Sequence, residues 1–424
     1  GLAGGLKPVL LLSNGHGEDL SGALVAAQLI QRGIPVAALP LVGHGNPYRQ
    51  LGVPVLGRTR SCSTGGLGYT SLAGRLSELM EGQLLYVLGR MLLLRRHRQH
   101  YGLVVAVGDV LAVLGGWLSG LPTAVYLVAY SSHYEGRLRL PWPCGWLLGR
   151  PGIRAIWSRD FLTATDLAQQ LARPVQFLSN PFLDVVSVAN PHGQQHPPEA
   201  VAAGLELALV PGSRLPEAAH NLGLMLQVLA LLPEHWVQRQ GLRLRAALVP
   251  DLDRRRIAPL AEALGWRLEG AEDREAMCLV RGRLQLELGW GQFTEILRGA
   301  ALVLCTAGTA AEQAVGLGKP VLQLVGRGPQ FTGGFAEAQR RLLGPGVHCA
   351  PGPSGKARTL AASARLVQTL LDQQRDPHHG PRLRRNLAAI GLERIGKPGG
   401  TAAITSAIME LLADPAALSS PNRP

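Results

Sequence analysis

Cysteine is scarce in this sequence: there are five among 424 residues, and none forms a Cys-x-x-Cys pair. Scattered cysteines in odd number build neither a disulfide framework nor a typical zinc site, so the pattern indicates a reduced, cytoplasmic protein. Aromatic residues make up only 5% of the chain and are not interleaved with its basic runs, which argues against a nucleic-acid-binding surface. Uninterrupted apolar runs of membrane-spanning length are also missing.

Acidic residues are outnumbered, with 29 Asp and Glu against 42 Lys and Arg, and the net charge is +13. Such an excess favours polyanionic partners, and without a nucleic-acid-binding motif we expect phosphorylated substrates or anionic lipids instead. The strongest basic cluster, Arg90, Arg95, Arg96 and Arg98, lies at the end of an apolar helical stretch. It predicts contact with an anionic membrane surface on the cytoplasmic side. The alternative is a core helix whose cationic end complements its own dipole.

The length of the chain suits two domains. Short apolar runs alternate with helical segments in both halves, which predicts two doubly wound, Rossmann-like α/β domains facing a cleft. A polar, proline-rich segment provides the linker between them. The predicted organisation is an N-terminal domain (1–189), the linker (190–200), a C-terminal domain (201–385), helices with the option of packing back towards the N-terminal domain (386–414) and a disordered tail (415–424).

Residues 300–325 predict a buried strand, a turn of small residues, a helix and a second buried strand. Gly308 lets a ligand approach the backbone, and Thr309 is predicted to cap the helix. The N–H groups around Ala310 would then face an anion, while Glu312 would accept hydrogen bonds from a sugar diol. Together these features describe a nucleotide diphosphate site. The alternative is an ordinary strand–helix–strand unit with a capping threonine and a solvated glutamate.

A second small-residue turn opens a helix earlier in the same half. Gly212 allows close approach, Ser213 can donate a hydrogen bond or cap, and Arg214 offers a forked donor for phosphate. A later loop, residues 326–334, lies on the same edge of the predicted sheet and adds Gln330. The C-terminal half is therefore predicted to bind the donor nucleotide.

The first strand of the N-terminal half runs into a glycine-rich loop that opens a helix, a common place for ligands in α/β sheets. The loop lacks the Gly-x-Gly-x-x-Gly pattern, so it is not predicted to bind NAD. It carries Gly15, His16, Gly17 and Glu18, followed by Asp19, which is predicted to cap the helix. A structural role accounts for Asp19, but it accounts less well for His16 and Glu18 in a loop flanked by glycines.

Other polar residues follow later strands of the same half. Asp109 ends a strongly apolar strand, where a carboxylate is costly unless it is used or paired, and capping the next helix is the alternative. Ser131 and His133 lie in a polar loop on the same edge. Asp251 and Asp253 match an Asp-x-Asp metal pattern, but acids before a helix usually act as caps, so no metal is predicted.

The chain resembles lipid-A-disaccharide synthase and the wider group of two-domain, metal-independent, nucleotide-sugar glycosyltransferases of the GT-B type. Within that group it is similar to the lipid-A-disaccharide-synthase-related family. The resemblance covers nearly the whole chain and rests on residues 209–214 with Glu217 and on residues 306–312. Residues 177–184 correspond to a turn that the synthase also has.

The resemblance implies that UDP is bound with Arg214 on phosphate and Glu312 on ribose. It aligns Asp109 with an acid that matters for catalysis and places the first loop beside the acceptor. The expected activity is an inverting transfer from a UDP-sugar to a hydroxyl of an amphiphilic or lipid acceptor, without cofactor. Asp109 is the first candidate for the base, and His16 and Glu18 come next.

Two departures from the synthase both fall on the acceptor side. The first loop reads Gly-His-Gly-Glu-Asp instead of Gly-Glu-Ala-Ser-Gly-Asp, and the loop at residues 130–137 lacks the synthase's tryptophan-containing sequence. Alternative functions are a UDP-sugar epimerase or hydrolase of the same architecture, and a non-catalytic nucleotide-sugar or lipid-binding protein. Nucleic-acid binding is supported by net charge alone.

Overall fold

A computed structural model of the chain describes residues 5–57, 77–187, 204–270, 277–306, 308–326 and 333–419. The predicted linker 190–200, Gln330 and the last five residues of the tail lie outside the described residues. The chain divides into two units. The N-terminal unit comprises the chain up to Asp184 together with the residues from Lys397 on, and the C-terminal unit comprises Val185–Gly396.

The N-terminal unit is built on a sheet of six parallel strands in the order β2-β1-β3-β4-β5-β6. The strands are β1 (Val9–Ser13), β2 (Val36–Pro40), β3 (Leu103–Val107), β4 (Thr123–Leu127), β5 (Ile153–Ser158) and β6 (Gln176–Phe177). The helices between them are α1 (His16–Gln31), α2 (Asn46–Gln50), α3 (Ser77–His97), α4 (Val110–Leu118), α5 (Cys144–Leu148), α6 (Phe161–Leu171) and α7 (Pro181–Asp184).

Helices cover both faces of this sheet. Leu11 of β1 packs with Ala26 of α1 on one face, whereas Leu10 packs with Met91 of α3 on the other. Because successive residues of a strand point to opposite faces, a strand covered on both sides must be apolar throughout. This is why β1, β3 and β4 appear in the sequence as continuous apolar runs.

The C-terminal unit has an eight-stranded sheet in the order β14-β13-β12-β7-β8-β11-β10-β9. The strands are β7 (Glu206–Val210), β8 (Arg243–Leu248), β9 (Arg267–Glu269), β10 (Met277–Arg281), β11 (Leu284–Trp290), β12 (Leu302–Cys305), β13 (Val321–Gln323) and β14 (Val347–Cys349). The helices are α8 (Glu217–Ala230), α9 (Glu234–Gln240), α10 (Arg254–Ala263), α11 (Phe293–Gly299), α12 (Thr309–Gly316), α13 (Gly333–Leu343), α14 (Ala357–Arg375) and α15 (His379–Arg394).

The predicted pair of doubly wound α/β domains is confirmed by these two sheets. One feature was missed: β9 and β10 form an antiparallel extension on β11 at the edge of the second sheet. β9 is three residues long and contains Arg267 and Glu269, so it has neither the length nor the apolar composition that marks the parallel strands.

The last helices of the chain belong to the N-terminal unit. Helix α16 (Gly400–Ala413) buries Ile404 and Ile408 in the same cluster as Leu11 and Ala26. The carboxylate of Asp184 accepts hydrogen bonds from the N–H groups of Gly399 (2.6 Å) and Thr401 (2.9 Å), which satisfies the start of this helix. The predicted helical segment 386–414 is thus divided between the two units.

The prediction of disorder from Pro415 was wrong for the first residues of the tail, which form a single turn of helix after α16. Residues Pro415–Leu418 make the short helix α17, and the Asp414 side chain caps it by accepting a hydrogen bond from Ala416 N at 3.0 Å. Proline at the first helical position already has a φ angle that suits a helix. Together with the Asp414 cap, it favours a helix in a segment that was predicted to be disordered.

Replacing Gly400 by alanine is expected to lower the free energy of unfolding by about 1–3 kcal/mol, the cost of overpacking a core. A Cβ at Gly400 would lie 2.6 Å from the backbone nitrogen of Asn180, and backbone atoms cannot move aside cheaply. Urea unfolding would measure the change. Gly89→Ala is the control, because its Cβ would meet nothing within 4 Å and alanine favours a helix. Equal stability of the two variants would contradict the prediction.

Candidate functional site

The N-terminal sheet has its topological switch point between β1 and β3. The chain passes from β1 to β2 on one side and then to β3 on the other, and Ser13 is paired with Val107 at the ends of these neighbouring strands. The loop with Gly15 and His16 and the turn with Asp109 therefore lie side by side. In open α/β sheets, ligands bind in the crevice that such a switch point creates.

Two glycines with positive φ angles shape the crevice: Gly15 at 117° and Gly108 at 137°. A Cβ at Gly108 would lie 3.2 Å from Cγ of Glu18, so Glu18 packs against the turn that carries Asp109. His16, Gly17 and Glu18 are half-buried at the start of α1. The structure therefore brings the three predicted catalytic side chains to one pair of strand ends.

Asp109 is buried and caps α4 by accepting a hydrogen bond from Leu111 N at 3.0 Å. The amide nitrogen of Asn14 donates to both of its carboxylate oxygens, at 2.8 and 2.9 Å. Burial raises the pKa of Asp109 to about 6, and the hydrogen bond from Asn14 opposes this rise. The capping alternative is thus confirmed, and the residue is also a carboxylate that titrates close to neutral pH.

Sequence analysis missed two neighbours of Asp109. Asn14 follows β1 directly, and Tyr130 accepts a hydrogen bond from Val110 N at 2.8 Å. Burial raises the pKa of Tyr130 well above its usual range, and the charge of Asp109 adds to the effect. A signal existed, since Asn14 directly follows β1 and Tyr130 is the first polar residue after β4.

The prediction that Asp19 caps α1 was wrong. The helix begins three residues earlier, at His16, and Asp19 N already donates to Gly15 O within the first turn. Its carboxylate instead accepts a hydrogen bond from Ser13 Oγ at 2.5 Å, and Tyr48 donates to that same hydroxyl at 2.7 Å. This buried chain of hydrogen bonds fixes the end of β1, where the loop begins.

Ser131 and His133 lie at the next strand ends along the edge. Ser131 is buried and donates to Asp160 at 2.6 Å, while His133 N donates to Ser131 Oγ at 3.2 Å. Asp160, which sequence analysis missed, caps α6 by accepting from Thr163 N at 2.8 Å. The hydroxyl of Ser131 therefore holds the loop in place. The assignment of these two residues to an acceptor stays a prediction.

The C-terminal sheet has its switch point between β7 and β12, whose last residues, Val210 and Cys305, are paired. The turn with Gly212, Ser213 and Arg214 and the turn with Gly308 therefore leave neighbouring strands at the same edge. The predicted donor-binding residues of the described chain come together in this way.

The turn with Gly212, Ser213 and Arg214 is fixed by a buried hydrogen bond, and its polar side chains are exposed to solvent. Asn221 of α8 is buried and donates to Pro211 O at 2.9 Å, which fixes the turn. Gly212 has a φ angle of 115°, and the side chains of Ser213 and Arg214 are exposed. Helix α8 begins without a side-chain cap. Arg214 is thus presented to solvent beside a helix N-terminus.

The second turn differs from its prediction in one respect. Thr309 was predicted to cap α12, but the cap position is taken by Gly308, with a φ angle of 145°, so the helix has no side-chain cap. Only glycine reaches this φ angle easily, so the helix begins one residue earlier than a threonine cap requires. Ala310 and Glu312 lie in the first turn, half-buried.

Asp253 caps α10, accepting a hydrogen bond from Arg256 N at 3.2 Å, as the capping interpretation of the Asp-x-Asp pair requires. Among the described residues, no group of three His, Cys, Asp or Glu side chains is placed to hold a metal ion. Independence from metal stays a prediction.

The predicted membrane contact was wrong for Arg90. This side chain is 4% exposed and donates to Leu56 O at 2.8 Å and to Pro40 O at 3.3 Å. Its guanidinium is occupied by backbone carbonyls of the same unit. Arg95, Arg96 and Arg98 are exposed.

Helix α3 also exposes a stripe of leucines at helical spacing on the side away from the core. They are Leu84 (46% exposed), Leu85 (71%), Leu88 (39%) and Leu92 (67%). We call these four residues the leucine stripe. No helix within the described ranges is long and apolar enough to cross a membrane.

No protein-family model and no curated protein match this sequence. Solved structures match it over nearly its whole length. CalG4, the calicheamicin glycosyltransferase, is 16% identical with a TM-score of 0.57, over 97% of this chain and 99% of that one. MurG of Acinetobacter baumannii is 14% identical with a TM-score of 0.53, over 95% and 99%. UDP-GlcNAc 2-epimerase of Neisseria meningitidis, bound to UDP-GlcNAc, is 13% identical with a TM-score of 0.50, over 95% and 100%.

These similarities define the class of fold: the chain consists of two Rossmann-like α/β units of the GT-B type. Sequence identity is too low for more than the fold, and one fold hosts many activities. Both a glycosyltransferase and an epimerase share it, so the choice between them depends on the residues of this chain. The resemblance to lipid-A-disaccharide synthase stays a prediction.

Proposed function

We propose that this protein is a glycosyltransferase that moves a sugar from a UDP-sugar to a hydroxyl of an amphiphilic acceptor. The observation that carries the proposal is the placement of the chemistry-bearing turns at the switch points of both sheets. The C-terminal unit offers a cation and open helix N-termini to a nucleotide diphosphate. The N-terminal unit offers a buried carboxylate to the acceptor.

In the C-terminal unit, Arg214 binds the diphosphate as a forked donor, and the N–H groups at the start of α12 bind it from the neighbouring strand end. Glu312 accepts hydrogen bonds from the ribose diol. Gly212 and Gly308 let the diphosphate approach the backbone, because neither carries a side chain. These groups stabilise the charge of the departing UDP without a metal ion.

In the N-terminal unit, Asp109 acts as the general base. The acceptor oxygen attacks the anomeric carbon on the face opposite UDP, and its proton passes to Asp109. The bond between the anomeric carbon and UDP breaks as the new bond forms, and UDP leaves with the electron pair. One such displacement inverts the anomeric configuration. A base with a pKa of about 6 is mostly ionised at neutral pH and still accepts a proton readily.

A UDP-sugar epimerase or hydrolase is the second candidate, because the fold is shared with an epimerase that was solved with UDP-GlcNAc. A thermal-shift screen of UDP-, GDP- and ADP-sugars would identify the donor. The best binder is then incubated alone and with a panel of lipid extracts. Glycosylated acceptor and UDP in equal amounts, formed only when both substrates are present, support the transferase. An epimerised or released sugar without acceptor supports the second candidate, and binding without turnover supports a non-catalytic protein.

An amphiphilic acceptor is supported by helix α3. The leucine stripe ends at Arg95 and Arg96, which are exposed in the last turn of the helix. Apolar side chains next to cations suit a surface that lies on an anionic bilayer, with the leucines among acyl chains and the arginines at head groups. Such attachment would bring the enzyme to a lipid substrate.

The double substitution Leu85→Gln with Leu92→Gln is expected to reduce binding to vesicles of phosphatidylglycerol and phosphatidylcholine by about tenfold or more, because burying these leucines contributes most of the apolar gain. Cosedimentation would measure binding. Leu231→Gln, which changes a half-exposed leucine of the C-terminal unit, is the control. Unchanged binding of the double variant would remove the membrane surface from the proposal.

A further inference from the structure

Asn14 is the residue whose contacts the reaction above leaves unexplained. Its backbone N–H donates to Val107 O at 3.3 Å, so the main chain already ties the end of β1 to the end of β3. Its side chain nevertheless reaches across the same gap, and the amide nitrogen donates to both oxygens of Asp109. The side-chain contact is therefore additional to what the fold needs at this point.

The other end of the amide is not satisfied. Asn14 is 2% exposed, and its Oδ1 atom is buried without a hydrogen-bond partner among the residues that the structure describes. A buried acceptor without a donor carries a desolvation cost, which an apolar residue of similar size would avoid. The two hydrogen bonds that the amide nitrogen donates to Asp109 offset this cost.

We infer that Asn14 is the positioning residue of the base: its amide fixes the plane of the Asp109 carboxylate and keeps that carboxylate ionised for the acceptor hydroxyl. The inference rests on the proposed function. It assigns a role to the first polar residue after β1, ahead of the glycine-rich loop. Asn14 acts through Asp109 and does not itself exchange a proton.

The other titratable groups around Asp109 do not replace this contact. Tyr130 and Cys144 have raised pKa values, about 12 for Cys144 because of its burial, so both stay neutral near pH 7. On α1, Glu18 packs against Gly108 and His16 opens the helix. Leu111 N holds only one of the two oxygens of Asp109. The amide of Asn14 donates to both.

The experiment compares the pH dependence of kcat/KM for wild type and Asn14→Ala. A donor to a carboxylate favours its charged form, so removing it raises the pKa of Asp109 further above about 6. The acid limb of the profile should move to higher pH by about one to two units. Asn14→Ser, whose hydroxyl can still donate one hydrogen bond, should shift the limb less and covers the case in which the alanine variant does not fold.

Asn221→Ala is the matched control. It also removes a buried asparagine that fixes a turn, but its partner is a carbonyl oxygen of the C-terminal unit. It should weaken the interaction with the donor and leave the acid limb in place. Folded Asn14→Ala or Asn14→Ser with the wild-type limb would overturn the inference.

A second readout separates this inference from the proposed function. Carbon NMR of protein labelled at aspartate carboxyls, with Asp109→Asn to assign the signal, gives the pKa of Asp109 without any turnover. A higher pKa in Asn14→Ala supports the contact even if no transfer is found, in which case only the proposed function fails. An unchanged pKa overturns the inference even if transfer is found.

Discussion

Asp109→Asn is expected to lower kcat by about 10²–10⁴-fold, the usual contribution of a general base, and to leave the affinity for UDP unchanged. Asparagine matches the size of the carboxylate, and its Oδ1 can still cap α4 and accept from Asn14. It cannot take up the acceptor proton. The variant therefore separates the chemical role of Asp109 from its structural one, which burial and capping alone do not.

Steady-state transfer and calorimetric titration with UDP would measure the two effects. Asp253→Asn is a suitable control, because it makes the same change at the cap of α10 in the other unit. Wild-type kcat/KM should also rise with pH through about pH 6, since the base must be ionised. Full turnover by Asp109→Asn would exclude Asp109 as the base and direct the search to His16 and Glu18.

Arg214→Ala is expected to raise the dissociation constant of UDP about 10- to 100-fold, because hydrogen bonds to charged groups contribute about 1.5–3 kcal/mol. Arg239→Ala, an exposed arginine of α9, removes the same charge away from the turns and should change affinity little. Calorimetry at constant ionic strength would distinguish a specific contact from a general effect of charge.

The ribose contact provides a second test of the same site. Glu312→Ala should lose the preference of the wild type for UDP over 2′-deoxy-UDP, since the carboxylate is proposed to accept from the diol. Equal affinities of wild type and Arg214→Ala for UDP would remove Arg214 from the phosphate. A retained preference for the ribonucleotide in Glu312→Ala would remove Glu312 from the ribose.

The elements that position the candidate site could be predicted because their signals are local. Strands such as β1 and β3 are covered on both faces, so each is a short apolar run that needs no partner to be recognised. The carboxyl ends of parallel strands share one edge, so Asp109 and the His16 loop could be placed together from the sequence. The same holds for Arg214 and Gly308.

What could not be predicted depends on partners far away in the sequence. Asn14 meets Asp109 across 95 residues, and Arg90 is buried against carbonyls 34 and 50 residues away. An arginine in a basic run, such as Arg90, is predicted to be exposed as long as the residues that pack against it are unknown. Asp19 was misassigned for a similar reason. Helix α1 begins after Gly15 without a side-chain cap, and the carboxylate of Asp19 accepts a hydrogen bond from Ser13 instead.

Helix α16 has a consequence for the order in which the protein is made. It fills part of the N-terminal core with Ile404 and Ile408, yet it is translated after the whole C-terminal unit. On the ribosome, the early part of the nascent chain therefore keeps that apolar surface uncovered until the residues of α16 have been synthesised. A message truncated before residue 397 would leave an otherwise complete second unit attached to a first one that chaperones and proteases can recognise as unfinished.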